Sequence, residues 1–139
     1  MTTHQILALL GDEVLETRKD LVKEFFLQSL ELVQGQLPPD LRQAVDVARR
    51  YSVRQASDEE LVAARVSCWQ HIKALAPGSA NQREECAARA IVFSLFPQVD
   101  EPVDAAEFFV SFLGRFASVE REQAKILTRL FAAELPSSH

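Results

Sequence analysis

Only four glycines and six prolines punctuate the 139 residues, and two cysteines, three histidines, one tryptophan and one tyrosine supply most of the rarer chemistry. So few glycines leave no room for a phosphate-cradling loop, and Pro77-Gly78-Ser79 matches no such fingerprint. There is no Asn-Gly or Asp-Gly hairpin signal and no strand-like alternation of period two. Two cysteines far apart in sequence, Cys68 and Cys86, make no disulfide framework and read as free thiols of a reducing compartment. No apolar run approaches the length of a membrane span. The first five residues carry no basic region, and Ile6 to Leu10 is too short for an export signal. Fifteen lysines and arginines face twenty aspartates and glutamates, a net charge of −5. Nucleic-acid and anionic-membrane binding both need a basic footprint, so neither is expected. A cytoplasmic protein is.

What is present is helical periodicity. The apolar fraction of 47% and charged fraction of 25% suit one globular domain spanning residues 1–139. From Thr3 to Gln34, apolar residues at Val14/Leu15, Leu21/Val22, Phe25/Phe26, Leu30 and Val33 step by three, four and seven. Gly11-Asp12 interrupts this stretch, with Asp12 as a cap and Gly35 as its C-terminal stop. Pro38-Pro39-Asp40 opens a second helix with Leu41, Ala44, Val45, Ala48 and Tyr51 inward. Ser57 and Glu60 form a capping box for a third. That helix has one apolar face of Leu61, Ala64, Cys68, Ile72 and Leu75. Val62, Val66 and Trp69 make an adjacent face, which predicts contact on two sides. A fourth helix, capped by Ser79–Gln82 or Asn81–Glu84, runs to Phe96. It is polar from Cys86 onward only at Arg89 and Ser94, the pattern of a central helix. Arg89 there is expected to reach the core's edge or a carboxylate.

Beyond an acidic loop at Pro97–Pro102, Phe109, Phe112, Phe116, Val119, Gln123, Ile126 and Leu130 form a heptad-like seam. Gly114–Ser118 divides it into two helices, with Ser118 as N-cap, and Pro136–His139 should fray. Consecutive Phe108 and Phe109 cannot both point into one core. The expected fold is all-α, a compact bundle of five to six helices.

Chemistry has few places to reside. Cys68 and His71 are spaced C-x-x-H, and with Cys86 and Glu84 or Glu85 they make a zinc-like donor set, against the reading of buried cysteines as small hydrophobes. His71 could activate Cys68, but no third, orienting group is visible, and His4 and His139 lie near the ends. No catalytic set, metal site or cofactor is therefore expected. Two charged clusters remain. Arg42, Arg49, Arg50 and Arg54 read as a solvated helix face. Asp100, Glu101, Asp104 and Glu107, beside Phe108, read either as helix N-terminal charge or as an acidic docking patch for a basic partner.

Three stretches carry a resemblance: Leu41 to Tyr51 (LRQAVDVARRY), Ser57 to Arg65 (SDEELVAAR) and Cys86 to Ala90 (CAARA). Over residues 38–92 the chain resembles the alanine- and arginine-rich helical immunity proteins of bacterial polymorphic toxin systems. An uncharacterised bacterial family of similar helical layout fits these stretches equally well. The resemblance to immunity proteins implies a protein that neutralises a partner by binding it, with no cofactor and no chemistry. No family binding residue maps onto a position here. The leading expectation is a non-enzymatic protein–protein interaction module docking through Asp100, Glu101, Asp104, Glu107 and Phe108. The alternatives are a small-molecule or metal-binding domain around Cys68, His71 and Cys86, and a homodimer through the C-terminal aromatic seam.

Overall fold

Capping chemistry and backbone breaks divide the chain. Thr2 Oγ1 accepts from the Gln5 amide and Gln5 Oε1 accepts from the Thr2 amide, a capping box that starts α1 (Thr3–Thr17). Gly11 kinks α1 with φ 81° and ψ 166°, where the sequence places an interruption. A second break follows at Arg18 (φ −112°, ψ 52°), between α1 and α2 (Lys19–Val33). It is held by the Arg18 guanidinium, 3.1 Å from Asp20 and 2.8 Å from Glu134. The computed structural model describes residues 1–136, without the side chains of Ser79 and Ala80. His139 and most of the stretch expected to fray lie outside the described residues.

The remaining helices are α3 (Pro39–Ser52), α4 (Asp58–Ala74), α5 (Ser79–Phe93), α6 (Pro102–Phe116) and α7 (Glu120–Leu130). The described residues thus form seven α-helices, not five to six, and contain no strand. The extra count comes from the break at Arg18, which no glycine or proline announces. As expected, Pro39 opens α3 and Ser57–Glu60 boxes α4, with bonds of 3.1 and 3.2 Å. Other expected caps differ. Gly35 lies in a 3-10 turn at Gln34–Gln36 rather than in a left-handed stop. Gly78, at φ 150°, is the N-cap of α5, and Asn81 Nδ2 instead donates to the Ala76 carbonyl. Helix α5 ends at Phe93, before Phe96. Ala117 is extended and separates α6 from α7, whose N-cap is Val119 rather than Ser118.

The helices touch in a closed circuit, α3–α4–α5–α6–α1–α7–α2 and back to α3, with α2·α6 and α3·α5 contacts across its middle. Helices α1 and α7 run parallel. Thr3, at the start of α1, donates its amide to Glu120 at the start of α7, and Arg18 after α1 meets Glu134 after α7. Helix α5 is central as its composition predicts, with Ala87, Ala88, Ala90 and Ile91 fully buried. At the crossing of α2 and α6, Phe109 lies 4.4 Å from Phe26 and 5.8 Å from Phe25, ring centre to ring centre. Most of the C-terminal seam is buried within the chain itself: Phe109, Phe116, Val119, Gln123 and Ile126 are buried, while Phe112 and Leu130 are half-buried.

Two substitutions test this packing. Gly11 occupies a region that residues with a side chain rarely enter, so Gly11→Ala should lower stability by about 1–3 kcal/mol in urea unfolding. The Gln123 amide is fully buried, and neither its oxygen nor its nitrogen has a hydrogen-bond partner among the described residues. Replacing it with leucine removes an unsatisfied polar group, so Gln123→Leu should raise stability by about 1 kcal/mol. A lowered urea midpoint would contradict that account.

Candidate functional site

Helix α4 carries two apolar stripes, and the chain covers one. Leu61, Ala64 and Cys68 face the core. Val62, Val66 and Trp69, spaced i, i+4 and i+7, form a second stripe that is 48%, 48% and 41% exposed. Helices α3 and α5 both contact α4, yet these three side chains stay well exposed, so the contact expected on their face is not met among the described residues.

Arginines and aromatic rings extend this stripe across α5 and α6. The Arg89 guanidinium lies 5.3 Å from the Trp69 ring, and its Nε donates to Glu85 at 3.0 Å, meeting a carboxylate as its sequence context predicts. Arg65 lies 4.4 Å above the exposed Phe96 ring and donates to the Leu95 carbonyl. One turn beyond Arg89, Phe93 stacks on Phe112 of α6 at 6.3 Å, and Phe112 stacks on Phe108 at 6.3 Å. Phe108 is 56% exposed while Phe109 is fully buried, which resolves the pair as expected. Phe93 also touches Phe26, so a line of rings leads from the core to this surface.

The acidic residues are divided. Asp100 and Glu101 are exposed ahead of α6, and Glu101 is held in a left-handed conformation at φ 47°. Asp104 is exposed one turn before Phe108, on the same side of α6. Glu107 turns toward α1, where it meets His4 Nδ1 at 2.5 Å. Asp100, Glu101 and Asp104 thus border the aromatic face, while Glu107 ties two helices together.

The donor set around Cys68 is likewise divided. His71 Nδ1 donates to Asp40 of α3 at 2.5 Å, and its Nε2 lies 3.3 Å from Glu84 of α5. This imidazole joins three helices, a role that only the folded arrangement reveals. Cys68 is fully buried one turn away. Burial, and then the charge of Asp40, pushes its thiol up to about 12. A nucleophilic cysteine needs a shift in the opposite direction. Cys86 instead lines a cavity of about 530 Å³ beside Phe112 and Arg115. Both thiols are free, and among the described residues no group of three or more His, Cys, Asp or Glu is placed to hold a metal ion.

Sequence reasoning missed Lys23. Its ammonium lies 2.5 Å from the Phe96 carbonyl and 5.1 Å from the Tyr51 ring, and burial holds it below the ordinary lysine range. Here a lysine on α2 ties down the loop that follows α5, a contact no local pattern encodes. No family model, curated protein or solved structure matches this chain.

The two thiols should differ in reactivity. In native protein, Cys86 should react with an aromatic disulfide reagent and Cys68 only as the fold opens. Raising the pH from about 7 to about 9 should not rescue Cys68, because its thiol stays protonated there. A fast phase surviving in Cys86→Ser under native conditions would refute this.

Proposed function

We propose that this protein is a non-enzymatic interaction module that binds another protein through the α4–α5–α6 face. The observation that carries the reading is the uncovered second stripe of α4, Val62, Val66 and Trp69, continued by Arg89, Arg65 and the Phe93–Phe112–Phe108 stack. Tryptophan and arginine are the side chains that most often dominate binding energy at protein interfaces. Each arginine here lies near an aromatic ring, which limits the side-chain freedom lost on docking. Asp100, Glu101 and Asp104 at the border of the face favour a partner with basic residues at its own rim, since charges at a rim mainly accelerate encounter. The immunity-type form of this reading, neutralisation of a partner by binding, draws its support from the resemblance of residues 38–92.

The test is affinity capture from the source cell's extract with the wild-type protein and two variants as bait. The expected outcome is one stoichiometric partner. Trp69→Ala should weaken its binding by about 2 kcal/mol, roughly thirtyfold, while leaving the circular dichroism unchanged. Reversal of Asp100, Glu101 and Asp104 to lysine should slow association at low salt and leave dissociation nearly unchanged. A partner retained equally by folded Trp69→Ala, or no stoichiometric partner at all, would overturn the reading.

A further inference from the structure

A second surface lies elsewhere on the circuit, where α1 and α7 run side by side. An open groove of about 860 Å³ separates the start of α1 from the exposed side of α7. Arg121, Lys125 and Arg129 line it at i, i+4 and i+8. That spacing places three cations in a row along one rim, about 6 Å apart along the helix axis. All three are exposed, and among the described residues none makes an ion pair. Arg129 donates only to the neutral Gln28 amide.

The carboxylates of α7 form no ion pair with this row among the described residues, and its three cations outnumber the one carboxylate that lines the groove. Glu120 also borders the groove, but its Oε1 accepts the Thr3 amide at the start of α1. Glu122, exposed on the same helix, makes no ion pair among the described residues. In a chain of net charge −5, a groove with three free cations along one edge is a local reversal of sign. Between the rims, the partly exposed Ala124 is a small apolar floor. On the α1 side, Leu9 is 49% exposed one turn beyond the groove-lining Gln5. The groove therefore offers a basic edge, a shallow apolar floor and an apolar shoulder.

We propose that the α1–α7 groove seats an amphipathic helix of a partner protein, with carboxylates along Arg121, Lys125 and Arg129 and apolar side chains on Ala124 and Leu9. A helix matches the row because its own i, i+4 and i+8 positions repeat at the same pitch. The charge pattern selects acidic over basic or neutral segments. The apolar floor and shoulder select a segment with an apolar face over a polyanion without one. This surface is separate from the α4–α6 face and does not depend on it.

The probe is a fluorescein-labelled helical peptide of about 18 residues, with glutamates every fourth position on one face and leucines beside them. Binding is read by anisotropy at low salt against the whole protein. Saturable binding is expected, weakened about tenfold or more by the double variant Arg121→Glu/Lys125→Glu. Leu9→Glu should weaken it too, and Trp69→Ala should leave it unchanged, which separates failure here from failure of the α4–α6 reading. These α1 and α7 positions are exposed, and unchanged thermal unfolding of the variants confirms that each remains folded. Absence of saturable binding, or binding indifferent to the charge reversal, overturns the proposal. So does a result in which phosphatidylserine vesicles or a single-stranded oligonucleotide bind through the three cations while the peptide does not.

Discussion

The contact between Phe26 and Phe109 holds the architecture together. The two residues come from helices 83 positions apart in sequence, and their rings sit 4.4 Å apart where α2 crosses α6. Each of the seven helices is short, from 11 to 17 residues, and would be marginal alone. Their stability has to come from burying apolar stripes against neighbours, and the α2·α6 crossing lets all seven do so around one core. Phe25, Phe26 and Phe109 fill the centre and are fully buried. The circuit then closes outside them through α5 on α6, α6 on α1 and α7 on α2. Replacing Phe109 would remove the shared wall of several helices rather than one contact, because a cavity there has neighbours on every side.

The same crossing explains why aromatic surface is exposed. Phe26 touches Phe93, Phe93 stacks on Phe112, and Phe112 stacks on Phe108 at the surface. Helix α6 is amphipathic with a wide apolar arc, and the core takes Pro102, Ala105, Ala106, Phe109, Val110, Leu113 and Phe116 from it. Phe108 and Phe112 lie at the edge of that arc, and the stack joins them to the core. Helix α4 makes the same point more strongly. A helix with one buried and one exposed apolar stripe has an arc wider than its own neighbours cover. Val62, Val66 and Trp69 expose area that a self-contained surface helix would fill with charge, as α7 does with Arg121, Lys125 and Arg129.

Much of this was legible in the sequence because it is local. Periodicity located the helical segments other than the division of α1 from α2, the Ser57–Glu60 box fixed the start of α4, and Pro39 fixed that of α3. The alanine-rich run through Ile91 identified α5 as central. The break at Arg18 was not legible because its support is tertiary: Glu134 holds the guanidinium from the far end of the chain. Gly35 misled for the opposite reason, since glycine permits a left-handed stop without requiring one. The candidate site divided in the same way. Phe108 was legible as the outward member of a pair that cannot share one direction. Glu107 was not legible as a partner of His4, nor His71 as a junction of Asp40 and Glu84, because those contacts link residues 31 to 103 positions apart or join helices that only the fold brings together. Cys86 shares a helical run with no sign of which neighbour it faces, and in the structure it faces α6 rather than Cys68.

The disposition of charge follows from these commitments. Histidine, lysine and cysteine are the side chains most readily turned to chemistry, and four of them, His4, His71, Lys23 and Cys68, are engaged inside the fold. His4 is tied to Glu107, His71 to Asp40 and Glu84, and Lys23 to the Phe96 and Pro97 carbonyls beyond α5, while Cys68 is protonated in the core. The charges without such an engagement are distributed differently. Asp100, Glu101 and Asp104 border an aromatic face, and Arg121, Lys125 and Arg129 border a groove. Charges of opposite sign on two separate surfaces, each beside exposed apolar area, are what electrostatic steering and apolar anchoring require together. Coulomb attraction across water is weak at contact but acts over about 8 Å at physiological salt, whereas apolar contact acts only on touching. A surface that combined both would select a partner first by charge and then by shape; here acidic residues stand near the exposed aromatic side chains of α6 and a basic row lines the α1–α7 groove.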